Sequence, residues 1–186
     1  MKIKEIIRIS AGFLGLEKVV SVLDSNTIAD EYTQSLINRL VNLTNLVTGE
    51  MSNTYLPLSF TEEVSVINDV VSYTELQKQI VEILSVTDVS GNELQYKQDR
   101  KALYIYNVSK AKITYQYVAE KYELTDEIDY SESEISKGVI AYGVCAEYCL
   151  TERRFEEAVM WHERFVNGIK EKIYPKNGRT AIRRWE

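Results

Sequence analysis

Cys145 and Cys149 stand four residues apart, Glu147 lies between them, and His162 is the single histidine of the chain. Thiolate, imidazole and carboxylate are the groups from which a zinc site or a thiol nucleophile is assembled. The usual paired-cysteine spacings are absent, so a metal would have to recruit Glu147 or Glu152 to complete its ligand set. A reactive thiol needs an electropositive setting that lowers its pKa, and none is readable around these cysteines. Cysteine in an apolar helix reads instead as a small buried hydrophobe. Glu147 reads as a hydrogen-bonded structural acid. There is no glycine-rich phosphate loop, no Gly-x-Ser-x-Gly elbow and no His-Glu-x-x-His. The residues therefore predict no enzyme, no metal site and no cofactor.

The elements that carry these residues are helical. From Glu134 to Leu150 the sequence is apolar almost all round, with Glu147 the one charge between Lys137 and Glu152, and Gly138, Gly143 and Ala146 allow close backbone approach. Such a helix belongs in the middle of a bundle or against a neighbouring subunit. Ser131 or Ser133 is the expected N-cap, following the acid-rich loop Glu123 to Glu134. After a break at Thr151-Glu152-Arg153, an antiparallel partner is predicted over Arg154 to Ile173. Its core stripe would be Phe155, Ala158, Val159, His162, Phe165, Val166 and Ile169, and Pro175 would stop it. Tyr142, Glu147, Tyr148 and Trp161 are the candidate subunit-interface or core residues of this hairpin. Upstream, Ile3, Ile6, Ile7, Phe13 and Leu14 predict an opening helix, followed by a short one over Leu16 to Leu23. Asp24 to Thr27 offers caps for a longer helix from Ile28 to Val47, striped by Ile28, Tyr32, Leu36, Leu40, Leu43 and Val47 and closed at Gly49.

Between these helices the period changes from helical to alternating. Strands are predicted over Glu63 to Val71, Gln79 to Val86, Lys101 to Tyr106 and Lys112 to Ala119, with a turn at Asp88 to Asn92 in which Gly91 supplies a positive φ. Ile113, Tyr115 and Tyr117 share one face. Seven of the 13 tyrosines fall between Tyr73 and Tyr122. They suit sheet packing and interface area, since a tyrosine joins a large apolar body to one polar tip. The fold class is therefore α+β: a mainly helical bundle (helices within 3–50, hairpin 133–173) with a small antiparallel sheet (59–122) inserted, forming one domain over 1–174.

Length and charge bound the rest. A chain of 186 residues can bury a core without disulfides, two cysteines are too few for a stapled scaffold, and no run of about 20 apolar residues suggests a membrane span. The N-terminus does not resemble a secretory leader, so a cytosolic chain with reduced thiols is expected. A net charge of −6 argues against a broad phosphate-gripping face. The last residues, 175–186, carry four bases against one acid. Tyr174, Lys176, Arg179, Arg183, Arg184 and Trp185 thus form a basic, Trp-tipped arm on an acidic body, the composition of an interface anchor.

Three stretches resemble head-tail connector, or adaptor, proteins of tailed double-stranded DNA bacteriophages. The long N-terminal helix closing on Met51-Ser52-Asn53-Thr54-Tyr55-Leu56-Pro57-Leu58 is similar to the family's helix and its Leu-Pro-Leu lead into a β region. Val71 to Leu76, Ile80 to Val86, Gly91 and Tyr115-Gln116-Tyr117 resemble the inserted sheet. Ala141 to Leu150, with Arg154 to Ala158 and Trp161, resemble the closing helical hairpin. The resemblance implies a dodecameric ring in the virion neck, made in the host cytoplasm. Its implied partners are the portal protein, ring neighbours, the next tail or neck component, and DNA that passes through the channel without specific binding. The arm resembles the C-terminal extension with which such adaptors reach along the portal. The alternatives are a binding module that uses the Tyr-rich sheet, and a Cys/His metal or thiol enzyme.

Overall fold

The computed structural model describes residues 1–25 and 27–173. Asn26 and the arm residues Tyr174, Lys176, Arg179, Arg183, Arg184 and Trp185 lie outside the described residues. The chain is an α+β fold whose described residues divide into two compact units, one formed by 1–47 and the described residues from 122 onward, the other by 48–121.

The helical unit contains α1 (Ile3–Phe13), α2 (Glu17–Ser25), most of α3 (Glu31–Glu50), α4 (Lys137–Thr151) and α5 (Phe155–Ile173). The all-round apolar sequence of α4 is explained by its place among α1, α3 and α5. Ile140, Ala141, Gly143, Val144, Cys145, Ala146, Tyr148 and Cys149 are all buried. Two glycines set the spacing of these helices. A Cβ on Gly143 would lie 2.7 Å from Val47 Cγ1 on α3 and 3.1 Å from the Phe165 ring on α5, and one on Gly168 would lie 2.5 Å from Val139 Cγ2. Of the small residues expected to allow close approach, Gly138 has only Ser136 Oγ near it, at 3.9 Å.

Several expected boundaries move for local reasons. The cap of α4 is Ser136, whose Oγ accepts from the Val139 amide, rather than Ser131 or Ser133. Ser131 instead closes a single turn with Glu134: the Ser131 amide donates to Glu134 Oε2 at 2.7 Å and the Glu134 amide to Ser131 Oγ at 3.3 Å. That reciprocal pair is a capping box without a following helix, because Ser136 is extended two residues later. In the same way Asp30, not Asp24 to Thr27, initiates α3, its carboxylate accepting from the Thr33 amide at 2.7 Å. Ile28 therefore precedes the helix and is 99% exposed, Tyr32 is exposed, and the buried stripe runs through Thr33, Ile37, Leu40, Leu43, Thr44 and Val47. Gly49 does not end α3, which reaches Glu50 and passes into a π-helical turn over Met51–Tyr55.

On α5 the buried stripe is Ala158, Trp161, Phe165 and Ile169. Phe155, Val159 and His162, expected in the core, are exposed. The register about the helix axis is fixed by Phe165 against Gly143, Gly168 against Val139 and the large Trp161 ring turned inward, which carries the other half of the expected stripe out to solvent.

The β unit holds two three-stranded antiparallel sheets rather than one: β1 (Leu58–Ser65), β6 (Lys110–Tyr117) and β3 (Ile80–Thr87) in the order β1-β6-β3, and β2 (Val70–Ser72), β5 (Ala102–Ile105) and β4 (Tyr96–Gln98) in the order β2-β5-β4. The strand expected over Glu63 to Val71 is split by Asn68 and Asp69. Both adopt positive φ (54° and 61°), and Ile67 and Val70 exchange backbone bonds of 3.2 and 3.0 Å across them, a type I′ turn. β4 had no signal beyond Tyr96, because a three-residue strand is too short to show a period. The turn at Asp88 to Asn92 forms as expected, with Gly91 at φ +93°. Alternation holds in β6, where Ala111, Ile113, Tyr115 and Tyr117 are buried together.

Candidate interaction surface

The chemistry-bearing residues of the helical hairpin do not converge. Cys145 and Cys149 are buried among Ala146, Ala158 and Trp161, whereas His162 is exposed on α5 and Glu147 is half-buried. The Cys145 thiol donates to the Ser10 carbonyl at 3.6 Å. Burial pushes its pKa up to about 12, with the neighbouring Cys149 adding to the effect, and burial raises Cys149 as well. Both sulfurs are thus held as thiols at neutral pH, the protonation state opposite to that of a nucleophile or a metal ligand. Among the described residues, no group of three or more His, Cys, Asp or Glu side chains is placed to hold a metal ion.

What the hairpin does assemble is an aromatic and cationic cluster. Tyr142 on α4, Trp161 on α5 and Phe13 at the end of α1 meet with ring centroids 5.4–5.6 Å apart and ring planes within about 25° of one another. Arg164, one turn after Trp161, lies over that indole at 4.8 Å and over the Tyr142 ring at 6.0 Å. The spacing explains the assembly: residues three apart on a helix are neighbours, so Arg164 must lie beside Trp161. Trp, Tyr and Arg are the residue types that dominate binding energy at protein interfaces, because each joins a broad apolar plane to a polar or charged tip. The cluster is only partly covered, since Phe13 and Arg164 are exposed.

Tyr148 belongs to a different group. Arg39 from α3 stacks over its ring at 4.8 Å and also pairs with Glu152 at 2.6 Å, near the end of α4. Burial raises the Tyr148 pKa, Glu152 adds to that, and Arg39 opposes it. Of the four interface or core candidates, the structure therefore joins Tyr142 with Trp161 and places Tyr148 against α3, while Glu147 is half-buried on α4. Arg39 and Arg164 carried no signal of their own in the sequence. Phe13 did, but as a core residue.

In the β unit the polar centre is Glu62, which is 8% exposed. Tyr115 donates its hydroxyl to Glu62 Oε1 at 2.5 Å, and the same oxygen accepts from the Gln77 amide at 3.0 Å. The Lys78 amide donates to Tyr115 Oη at 3.2 Å. Burial, followed by the Glu62 hydrogen bond, pushes the Tyr115 pKa up to about 12. This network ties the segment before β3 to β1 and β6, and it uses up Tyr115. With Tyr117 also buried, the more exposed tyrosines of the β unit are Tyr96 on β4 and Tyr106 just after β5. Alternating polarity alone did not distinguish Glu62, which occupies an inward position of β1, from a surface acid.

No protein-family model matches the sequence, and no curated protein matches it. The class defined by the fold and its surface is an α+β protein with a β unit inserted between the third and fourth helices of a helical unit.

Proposed function

We propose that the chain is a structural protein of the neck of a tailed double-stranded DNA bacteriophage. It would assemble as a dodecameric ring on the portal, extend the DNA channel and connect head to tail without catalysing a reaction. The observation that carries this reading is the order of elements. Three N-terminal helices lead through the Tyr55-Leu56-Pro57-Leu58 segment into a β insertion, and a tightly packed helical hairpin closes the chain. That is the arrangement the resemblance to connector proteins implies.

The surface chemistry is consistent with assembly. An interface-type cluster of Phe13, Tyr142, Trp161 and Arg164 reaches solvent on the helical unit. The net charge of −6 favours passage of DNA over adhesion to it. Tyr174, Lys176, Arg179, Arg183, Arg184 and Trp185 are assigned the role of portal anchor on composition.

The test is to mix the chain with the portal protein of the same genome and weigh the product by native mass spectrometry. A closed complex with twelve copies on the portal is expected, and removal of residues 175–186 should leave a folded chain that no longer joins. A folded wild-type chain that stays off the portal at micromolar concentration would overturn the reading.

A further inference from the structure

Between Glu93 and Glu120 the chain holds five bases and one acid, although its net charge is −6. Two of the five are engaged: Lys110 pairs with Glu63 at 2.9 Å, and Lys112 donates to the Val89 carbonyl at 3.4 Å. The other three, Lys97, Arg100 and Lys101, stand on the β4–β5 hairpin. They are exposed and form no ion pair among the described residues.

Turn chemistry does not account for them. Gln98 pairs with Leu103, and the Asp99 amide donates to the Ala102 carbonyl at 3.0 Å, so Arg100 and Lys101 are the whole of a two-residue loop. Such loops favour Asn, Asp and Gly, which reach positive φ at low cost. Here neither loop residue has positive φ, and the Asp99 carboxylate steadies the turn by accepting from the Arg100 amide at 2.7 Å. Two long cations therefore occupy the tip for a reason other than its geometry. Edge protection explains a lysine on β4, the outer strand of its sheet, but not two cations in the loop. Lys97 adds to them on the outward face, where it lies opposite Tyr104, whereas Leu103 and Ile105 on the other face are buried. Tyr106 alternates onto the same side as Tyr104 and is 51% exposed.

Paired strands lie about 4.8 Å apart and rise about 3.3 Å per residue, so the three cations leave the backbone within about 10 Å of one another. Their ligand must carry negative charge at that density with no cations of its own to neutralise it. Duplex nucleic acid does so by construction, with one charge per about 1.7 Å of axis. Carboxylates crowded on a protein surface recruit bases instead, as Glu5 and Glu132 do with Lys137. A guanidinium also matches phosphate as a fork, and tyrosine hydroxyls contact the sugar-phosphate chain. We propose that the β4–β5 hairpin lies against the phosphate backbone of duplex DNA through Lys97, Arg100 and Lys101, without reading its sequence. Three contacts on an otherwise acidic chain give weak, salt-sensitive binding. This contact does not depend on the connector reading: DNA is a ligand of the free chain, whether or not a ring forms.

The experiment titrates the full chain into a short, fluorescently labelled DNA duplex and reads anisotropy at increasing salt. Lys97→Ala with Arg100→Ala and Lys101→Ala should keep the circular dichroism of the wild type, since all three side chains are exposed. It should weaken binding at least about tenfold and make log affinity against log salt shallower by about 2.7, the slope of three phosphate contacts. Lys97→Arg with Lys101→Arg should bind as the wild type does, because charge is retained. Unchanged affinity and slope in the alanine variant would overturn the contact. So would a loss confined to the variant in which Lys176, Arg179, Arg183 and Arg184 are replaced by alanine, which would move the contact to the arm. Unlabelled poly-glutamate at equal charge should leave the DNA bound, and its preferential binding would overturn DNA in favour of an acidic protein. A wild-type chain that does not bind the duplex at low salt and about 100 μM would also overturn the contact. Portal joining is read separately: DNA binding by a chain that never joins the portal would support the hairpin contact and overturn the connector reading.

Discussion

The helical unit and the β unit are held together in opposite ways. In the helical unit α4 is pressed against its neighbours through absent atoms: Gly143 admits Val47 and Phe165, and Gly168 admits Val139. In the β unit a buried carboxylate and a buried phenol are retained and made to satisfy each other and two backbone amides. The first core tolerates no added volume, and the second tolerates no lost hydrogen bond. Substitutions that change volume and substitutions that change polarity should therefore sort by unit.

The largest effect is expected at the glycines. Gly143→Val or Gly168→Ala places carbon at 2.5–2.7 Å from a neighbouring side chain, inside any real contact distance. Overpacking of this kind costs about 1–3 kcal/mol, and the valine more than the alanine. Urea unfolding followed by helical circular dichroism measures it. Adding Val139→Ala to Gly168→Ala should recover part of the loss, because Val139 is the side chain in the way. Equal stability of Gly168→Ala and wild type would show that the close approach is not a constraint.

Next in size is Tyr115→Phe, which keeps the ring but leaves Glu62 Oε1 without its hydroxyl donor and the Lys78 amide without its acceptor. A loss of about 1–2 kcal/mol is expected, carried by the β unit. The pH dependence has a definite sign. The Tyr115 pKa is raised from 10.0 to about 12, so the folded state holds the proton more tightly than the unfolded one. Its contribution is complete below pH 10 and is lost as pH rises from about 10 to about 12. Stability of Tyr115→Phe should fall less steeply over that window. An unchanged alkaline limb would mean that another group controls it.

A smaller, opposite limb is expected at Asp88. Its carboxylate accepts from the Ser90 and Asn92 amides at 2.8 and 2.9 Å and from the Asn92 side chain at 2.8 Å, and these bonds lower its pKa from 3.8, the Asn92 side-chain bond most. A depressed carboxyl contributes stability above its unfolded pKa and loses it as pH falls through the folded value. Asp88→Ala should therefore reduce β-unit stability at pH 7 by less than Tyr115→Phe does, and should make the acid limb below about pH 4 shallower. Amide exchange at Asn92 reads the same loss locally.

The same division explains what the sequence could disclose. Among the described residues, apolar period and composition located every α-helix, the centrality of α4, three of the six strands and the Gly91 turn, because each is set by neighbours in the chain. They failed where one residue decides between two periods. Asn68-Asp69 broke a strand whose β propensity was continuous, and Trp161 together with Gly168 turned α5 so that Phe155, Val159 and His162 left the core. The aromatic cluster was half legible: Tyr142 and Trp161 stand on the hairpin, but Phe13 arrives from a distant segment that no local pattern connects to it, as Arg39 does at Tyr148.

The weakest perturbation is the most discriminating test of whether α4 is constrained by close packing or by helix propensity alone. Gly138 and Gly143 lie five residues apart on this helix and are chemically identical, yet only Gly143 faces atoms that an added Cβ would strike. Gly138→Ala meets nothing closer than Ser136 Oγ at 3.9 Å, an ordinary contact. It should stabilise the chain by about 0.5 kcal/mol, because alanine has less backbone freedom to lose on entering a helix. Gly143→Ala receives the same entropic gain, so any difference between the two alanine variants measures the packing of α4 against Val47 and Phe165. Parallel urea titrations give that difference directly. Near-equal midpoints would mean that Val47 and Phe165 yield without cost and that the helical core is softer than its spacing suggests.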